Sequence, residues 1–374
     1  MSKSYWQASA TLVGMIIGAG ILGIPYVVAK SGYLLGALNI IILGIAILFI
    51  NLYTGEISLR TRGIHQVTGY ASLYLGKWGK LLMLISIITV GISALAAYLI
   101  GISKALNAVF GVREIFFVLA AFIVLGLLIY RGLKIIQEWE LALGIVMLLV
   151  IVVIALLSLN KIDASNLSSF NFPLILAPYG VVFFAFLGYA AVPELKEILR
   201  KERKRVKSAI IVGSIIPIFI YLLFVAVVVS VTGTSTSDVA SLGLGEAIGL
   251  HMIVLGNLLA VFTMSTSFLA VGLAVKWVFQ YDYGMNEKLS VALTCILPLA
   301  IVLGGITNFI QAIEIGGSVG GGVGGILLVL IFHRAKKLGE RKPEFSLNVH
   351  WIFSALLVAI FVGGILYTLL TLVR

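Results

Sequence analysis

GMIIGAGILGIP (residues 14–25) and FFAFLGYAAVP (residues 183–193) decide how this chain is read. Each is a long apolar stretch with a glycine near its middle and a proline five residues later: Gly20 with Pro25, and Gly188 with Pro193. The glycines and the prolines share one offset of 168 residues (188 − 20 and 193 − 25). Glycine frees the backbone, whereas proline removes a donor and obstructs the preceding turn. A helix carrying both is expected to break and to leave N–H and C=O groups without helical partners. Two unrelated kinks with close helix packing would leave the matched spacing unexplained.

The surrounding sequence sets the solvent. Of 374 residues, 61% are hydrophobic and 11% charged, and the mean hydropathy is +1.16; a soluble domain carries about 25% charge. Apolar runs of about 20 residues, enough for a helix to cross a bilayer, recur from end to end. A closed barrel would show short alternating segments instead. The chain therefore reads as an all-α integral membrane protein. About eleven spans are expected, at 6–30, 33–59, 80–106, 113–131, 138–159, 173–199, 207–232, 246–280, 288–306, 309–333 and 348–372. The apolar run after Lys3 continues past Gly18 and Pro25 to Ser31, too long for a signal-peptide core, so it reads as a retained first span.

Charge placement orients these spans. With the N-terminus cytoplasmic, only Lys30, Lys104, Arg113, Lys161 and Arg374 of the 26 Lys and Arg fall on the far side, which leaves 21 (26 − 5) on the cytoplasmic side. The positive-inside rule thus favours a cytoplasmic N-terminus and an extracytoplasmic C-terminus. The basic run KEILRKERKRVK becomes a cytoplasmic loop beside anionic lipid rather than a nucleic-acid site. The two breaks then lie five spans apart in opposite directions, the mark of an inverted repeat. One transmembrane domain is expected, residues 6–159 as the first repeat, 173–333 as the second and 348–372 as an added span.

Inside a bilayer, unpaired backbone groups are tolerated only where they line a cavity or bind something. The N-terminal end of a half-helix offers amides and partial positive charge to a carboxylate. The C-terminal end offers carbonyls to an ammonium group or a small cation. One break can hold both ends of a zwitterion.

GMIIGAGILGIPY, FFAFLGYAAVPELKEILRK and STSFLAVGLAVKWVFQY (residues 265–281) resemble the amino acid/polyamine/organocation superfamily, whose 5+5 inverted-repeat fold is named after LeuT. They are closest to its amino acid/auxin and hydroxy/aromatic amino acid permeases. The resemblance implies that the amides of Gly18, Ala19, Gly20 and Ile21 hold a substrate carboxylate. It further implies that the carbonyls of Ile16, Phe184 and Ala185 receive the ammonium, and that Phe184, Phe186 and Tyr189 contact the side chain or gate the site. Where auxin-type relatives carry a polar residue or histidine after the second break, this chain has Leu187, Gly188, Tyr189 and Ala190. That departure favours an apolar side-chain pocket. A sodium site implied by the same resemblance would use carbonyls of Gly14, Ile17 and Thr263 and hydroxyls of Thr266 and Ser267. Serine and threonine also bond carbonyls of their own helix, and some proton-coupled relatives keep the hydroxyl pair.

A proton route needs a titratable group within the membrane. His65, His251, His333 and His350 all fall at span ends or in loops. Glu314, in NFIQAIEIGG, is the candidate; a gate hydrogen bond or a structural pair is its other reading. Glu194 is expected to pair with Lys276, and Lys104, Glu138 and Glu140 to snorkel at membrane edges. The glycine run 316–325 has no GK[ST] and is expected to let helices approach closely. Cys295 reads as a small buried apolar residue.

The expected function is cation-coupled symport of neutral amino acids by alternating access, with sodium or protons as coupling ion and no cofactor. Its partners are the amino acid, the cation and the bilayer; the oligomeric state stays open. An amino-acid sensor and an uncoupled exchanger are the alternatives. The spans are too apolar for a channel lining. No HExxH and no intramembrane aspartate pair marks an enzyme.

Overall fold

Ser2 starts the first helix: its hydroxyl accepts from the Tyr5 N–H, the usual N-cap bond. The computed structural model describes residues 2–132, 149 and 152–373, and among these the chain is helical with no β-strand. Helix α1 (Lys3–Ile16) ends at Ile17 and Gly18, which have non-helical backbone angles; a 3-10 turn, Ala19–Leu22, then leads into α2 (Ile24–Ser31). Pro25 sits in the first turn of α2, where its missing N–H costs nothing. The two halves are bent by 45°.

Next come α3 (Tyr33–Arg60), α4 (Val67–Phe110), α5 (Glu114–Arg131) and a shorter apolar helix, α6 (Val152–Lys161). Gly76 kinks α4 with φ +73°, a region that residues with a β-carbon rarely enter. The fifth expected span, 138–159, begins outside the described residues, as do Lys134, Glu138 and Glu140.

The second interrupted stretch repeats the pattern. Helix α7 (Tyr179–Phe186) stops at Leu187, Gly188 opens a 3-10 turn, and α8 (Val192–Ile198) carries Pro193 in its first turn. Then follow α9 (Val206–Thr232), α10 (Ala240–Ile248), α11 (Leu250–Trp277) and α12 (Glu287–Leu303). Helix α13 (Phe309–Ile315) runs through a π-helical turn, Gly316–Gly321, into α14 (Gly322–Leu338), and α15 (Trp351–Val373) closes the chain.

Among the described residues, seven helices are long and apolar enough to cross a membrane, eight counting the bent pair α1–α2. Leu34, Phe116, Phe219, Leu223 and Leu370 are all more than half exposed. In water such a surface would associate; in hydrocarbon it needs no cover. The expected spans 33–59, 113–131, 207–232 and 348–372 match α3, α5, α9 and α15 to within a few residues, whereas 246–280 is divided at Gly249 and 80–106 covers only the later part of the longer α4.

The glycine run 316–325 does bring helices close. A β-carbon on Gly317 would overlap the Gly180 carbonyl oxygen and lie 2.7 Å from the Phe184 nitrogen, and one on Gly325 would lie 2.8 Å from the Phe361 ring.

Two ion pairs differ from expectation. Lys276, buried on α11, pairs with Glu287 at 2.7 Å rather than with Glu194, because Glu287 opens the next helix directly after the turn. Glu194 is exposed on α8. Lys104 pairs with Asp238 instead of simply snorkelling.

Candidate substrate site

The two breaks face each other. A β-carbon on Gly20 would lie 3.0 Å from Ala185 Cα and 3.2 Å from the Phe184 ring. Beside this contact lies a cavity of about 210 Å³. Ile16, Gly18 and Gly20 from the first break and Phe184, Ala185 and Tyr189 from the second all line it. Ala19, Ile21 and Phe186 are buried in packing around it; Phe186 stacks at a tilt on Tyr221, ring centroids 4.9 Å apart.

The remaining wall comes from α4 and α11. Gly91, Ala94 and Tyr98 of α4 and Ala270, Val271 and Ala274 of α11 are among its lining residues. No charged side chain stands among the lining residues, and the polar ones are the phenols of Tyr98 and Tyr189. Ser267 is a neighbour of the Tyr98 phenol, and Ser86 of the Tyr189 phenol. A guest carrying charge must therefore have that charge met by backbone.

The backbone around the first break is partly engaged. The Gly18 N–H donates to the Ile16 carbonyl at 2.9 Å, and the Ile21 N–H to the Gly18 carbonyl at 3.4 Å. The carbonyls of Ile16 and Ala185 converge on one atom: the Tyr221 hydroxyl lies 2.7 Å from the first and 2.8 Å from the second. Tyr221 lies on α9 and is fully buried. Sequence reading missed it because one tyrosine in an apolar helix has no local signature. The available signal is general: a phenol placed in hydrocarbon must find a partner.

Ser267 is brought against the first break, its Oγ 3.5 Å from where a Gly18 β-carbon would stand. Thr266 donates to the Thr263 carbonyl at 2.9 Å, so these two oxygens are joined within α11. Gly14 and Ile17 lie on either side of the α1 terminus. Glu314 is not at the cavity. It sits on α13 against Gly180 of α7, its carboxyl 3.5 Å from the Thr368 hydroxyl of α15.

A family model described as the tryptophan/tyrosine permease family matches residues 1–371. The chain is 27% identical over 390 aligned positions to the tyrosine-specific transport system 1 of Haemophilus influenzae, covering 96% of this chain and 94% of that protein. It is 23% identical over 313 positions to glutamine transporter 2 of Aliivibrio fischeri, covering 80% of this chain and 81% of that one. These proteins are transporters, not enzymes. Matched almost end to end by this family model, the chain belongs to the tryptophan/tyrosine permease family.

Proposed function

We propose that this protein is a cation-coupled secondary transporter of neutral amino acids that works by alternating access. The observation that carries the proposal is the meeting of two interrupted helices around a cavity without charged side chains. Backbone dipoles at such breaks suit the carboxylate and ammonium that every amino acid carries. An uncharged wall gives a cationic or anionic side chain no partner. The names of the two relatives, one for tyrosine and one for glutamine, point to the same substrate class.

In this reading the chain has eleven spans in the LeuT arrangement, with 6–159 and 173–333 as inverted repeats and 348–372 as an addition. The N-terminus is cytoplasmic and the C-terminus extracytoplasmic. Substrate is held by Ile16, Gly18, Ala19, Gly20, Ile21, Phe184, Ala185, Phe186 and Tyr189. A sodium ion would use Gly14, Ile17, Thr263, Thr266 and Ser267; a proton would use Glu314. The position of Ser267 beside Gly18 favours the former and the burial of the Glu314 carboxyl between helices the latter.

The deciding experiment is uptake of labelled amino acids into proteoliposomes under a sodium gradient, an inward proton gradient and no gradient. Concentrative uptake under one gradient names the ion. Counterflow without concentration means an exchanger, and binding without any flux means a sensor.

A further inference from the structure

Among the described residues, Tyr221 is the side chain that hydrogen-bonds the backbone of both breaks at once. A phenol has a single hydrogen and two acceptor lone pairs. With carbonyl oxygens at 2.7 and 2.8 Å, that hydrogen is shared between two acceptors and gives neither a full bond, although the Ile16 carbonyl also accepts from the Gly18 N–H. The hydroxyl cannot swing aside, because its ring is wholly buried and packed on Phe186. Ile16 and Ala185 themselves line the cavity, whereas Tyr221 is wholly buried and is not among its lining residues. The two carbonyls thus tie the phenol to one lining residue of each break.

We propose that Tyr221 is a positioning residue for the substrate's α-ammonium group: its hydroxyl clamps the Ile16 and Ala185 carbonyls at the spacing an ammonium needs and yields one of them when the amino acid binds. The ammonium then donates to the released carbonyl and to the phenol oxygen, while the phenol donates to the other carbonyl. No bond to hydrogen breaks, and one shared bond becomes three full ones. Because one oxygen joins the two breaks, α1 and α7 shift together rather than separately. The ammonium half of this inference rests on the amino-acid reading; the clamp does not.

The test uses the full chain in nanodiscs, with Tyr221→Phe keeping the ring and losing the hydroxyl. Tyr33→Phe is the control, since its hydroxyl donates to the Leu222 carbonyl of α9, at 3.5 Å, and to neither break. Without amino acid, amide hydrogen exchange over residues 14–22 and 183–191 should rise together by about threefold in Tyr221→Phe and not in the control. A rise in one segment only, or in neither, overturns the clamp. Binding is then compared for L-tyrosine against 3-(4-hydroxyphenyl)propanoate, and for L-glutamine against 4-carbamoylbutanoate, pairs that differ only in the ammonium. Tyr221→Phe should weaken the amino acid about tenfold and its des-amino analogue less than about twofold. An unchanged preference overturns the ammonium role. If the wild-type chain binds neither pair, the amino-acid reading and the ammonium role fall together, while the exchange result still decides the clamp.

Discussion

Gly20 and Ala185 pack backbone against side chain across the two breaks: a β-carbon added at residue 20 would lie 3.0 Å from Ala185 Cα and 3.1 Å from its Cβ. Neither atom belongs to a flexible tip that could turn away. The close approach, rather than any unusual backbone angle, is why residue 20 is glycine, since its φ is not positive. Gly20→Leu should therefore wedge α7 away from the first break and abolish transport, while surface expression and membrane insertion persist. Gly20→Ala, with one methyl to place, should lower transport by about tenfold, in line with the 1–3 kcal/mol typical of overpacking. Normal flux in Gly20→Leu would remove the first break from the substrate path.

Gly317→Ala tests whether the π-helical turn must sit flush on α7. The new methyl would overlap the Gly180 carbonyl oxygen and lie 2.7 Å from the Phe184 nitrogen, both backbone. Overpacking of this kind costs about 1–3 kcal/mol. The melting midpoint in detergent should drop by several degrees, whereas Gly363→Ala on α15, with open space around the added carbon, should leave it unchanged. Equal midpoints for the two variants would show that the helices slide freely at this contact.

Much of this architecture was legible from Gly and Pro placement alone. Pro25 and Pro193 each mark the first turn of a second half-helix, as expected. The first break itself falls at Ile17 and Gly18, two residues ahead of Gly20, because Gly20 is spent on close approach. The pairing of Lys276 was misread, since helix faces say nothing about the turn that delivers Glu287. Tyr221 was invisible for a related reason. Its two partners are main-chain carbonyls 205 and 36 residues away, and a carbonyl has no sequence signature. Composition and periodicity report what a helix faces; they do not report which backbone oxygens a fold leaves uncovered.

Ser267→Ala probes the coupling ion. Ser267 stands beside Gly18 at the first break, its Oγ 3.5 Å from where a Gly18 β-carbon would be. If sodium drives uptake, loss of one hydroxyl ligand should raise the half-saturating sodium concentration by about tenfold, as a lost bond to a charged group of about 1.5 kcal/mol implies. The maximal rate at saturating sodium should stay near wild type. Unaltered sodium dependence would exclude Ser267 from the ion's shell.

Glu56 anchors the segment between α14 and α15. Its carboxylate is fully buried at the end of α3 and accepts from the Arg60 guanidinium at 2.8 Å, the Ser346 hydroxyl at 3.1 Å and the Leu347 N–H at 2.6 Å. Removing one partner of a buried pair strands the other, at a cost of about 3 kcal/mol. Glu56→Ala should lower thermal stability and open residues 339–347 to limited proteolysis. Glu56→Gln keeps an acceptor for Leu347 and should recover part of the loss. Wild-type protease resistance in Glu56→Ala would mean that Arg341, bonded to the Leu59 carbonyl and Glu344, holds the segment by itself.

Glu314 separates the proton reading from the sodium one. Among the described residues its carboxyl forms no ion pair, and its hydrogen-bond partner is the Thr368 hydroxyl at 3.5 Å. A half-buried carboxyl, with Lys30 near it but no salt bridge to it, is a group that changes charge by binding a proton. Its contact with Gly180 lets that change act on α7, one half of the second break. Glu314→Gln is fixed in the neutral state and keeps an amide able to bond Thr368, so packing is preserved. If protons drive uptake, this variant should lose concentrative uptake under an inward proton gradient and retain counterflow, because exchange of amino acid for amino acid needs no net proton movement. Loss of both activities would assign Glu314 to packing. Retention of proton-driven uptake would place the proton elsewhere and leave the hydroxyls opposite the first break as the coupling site.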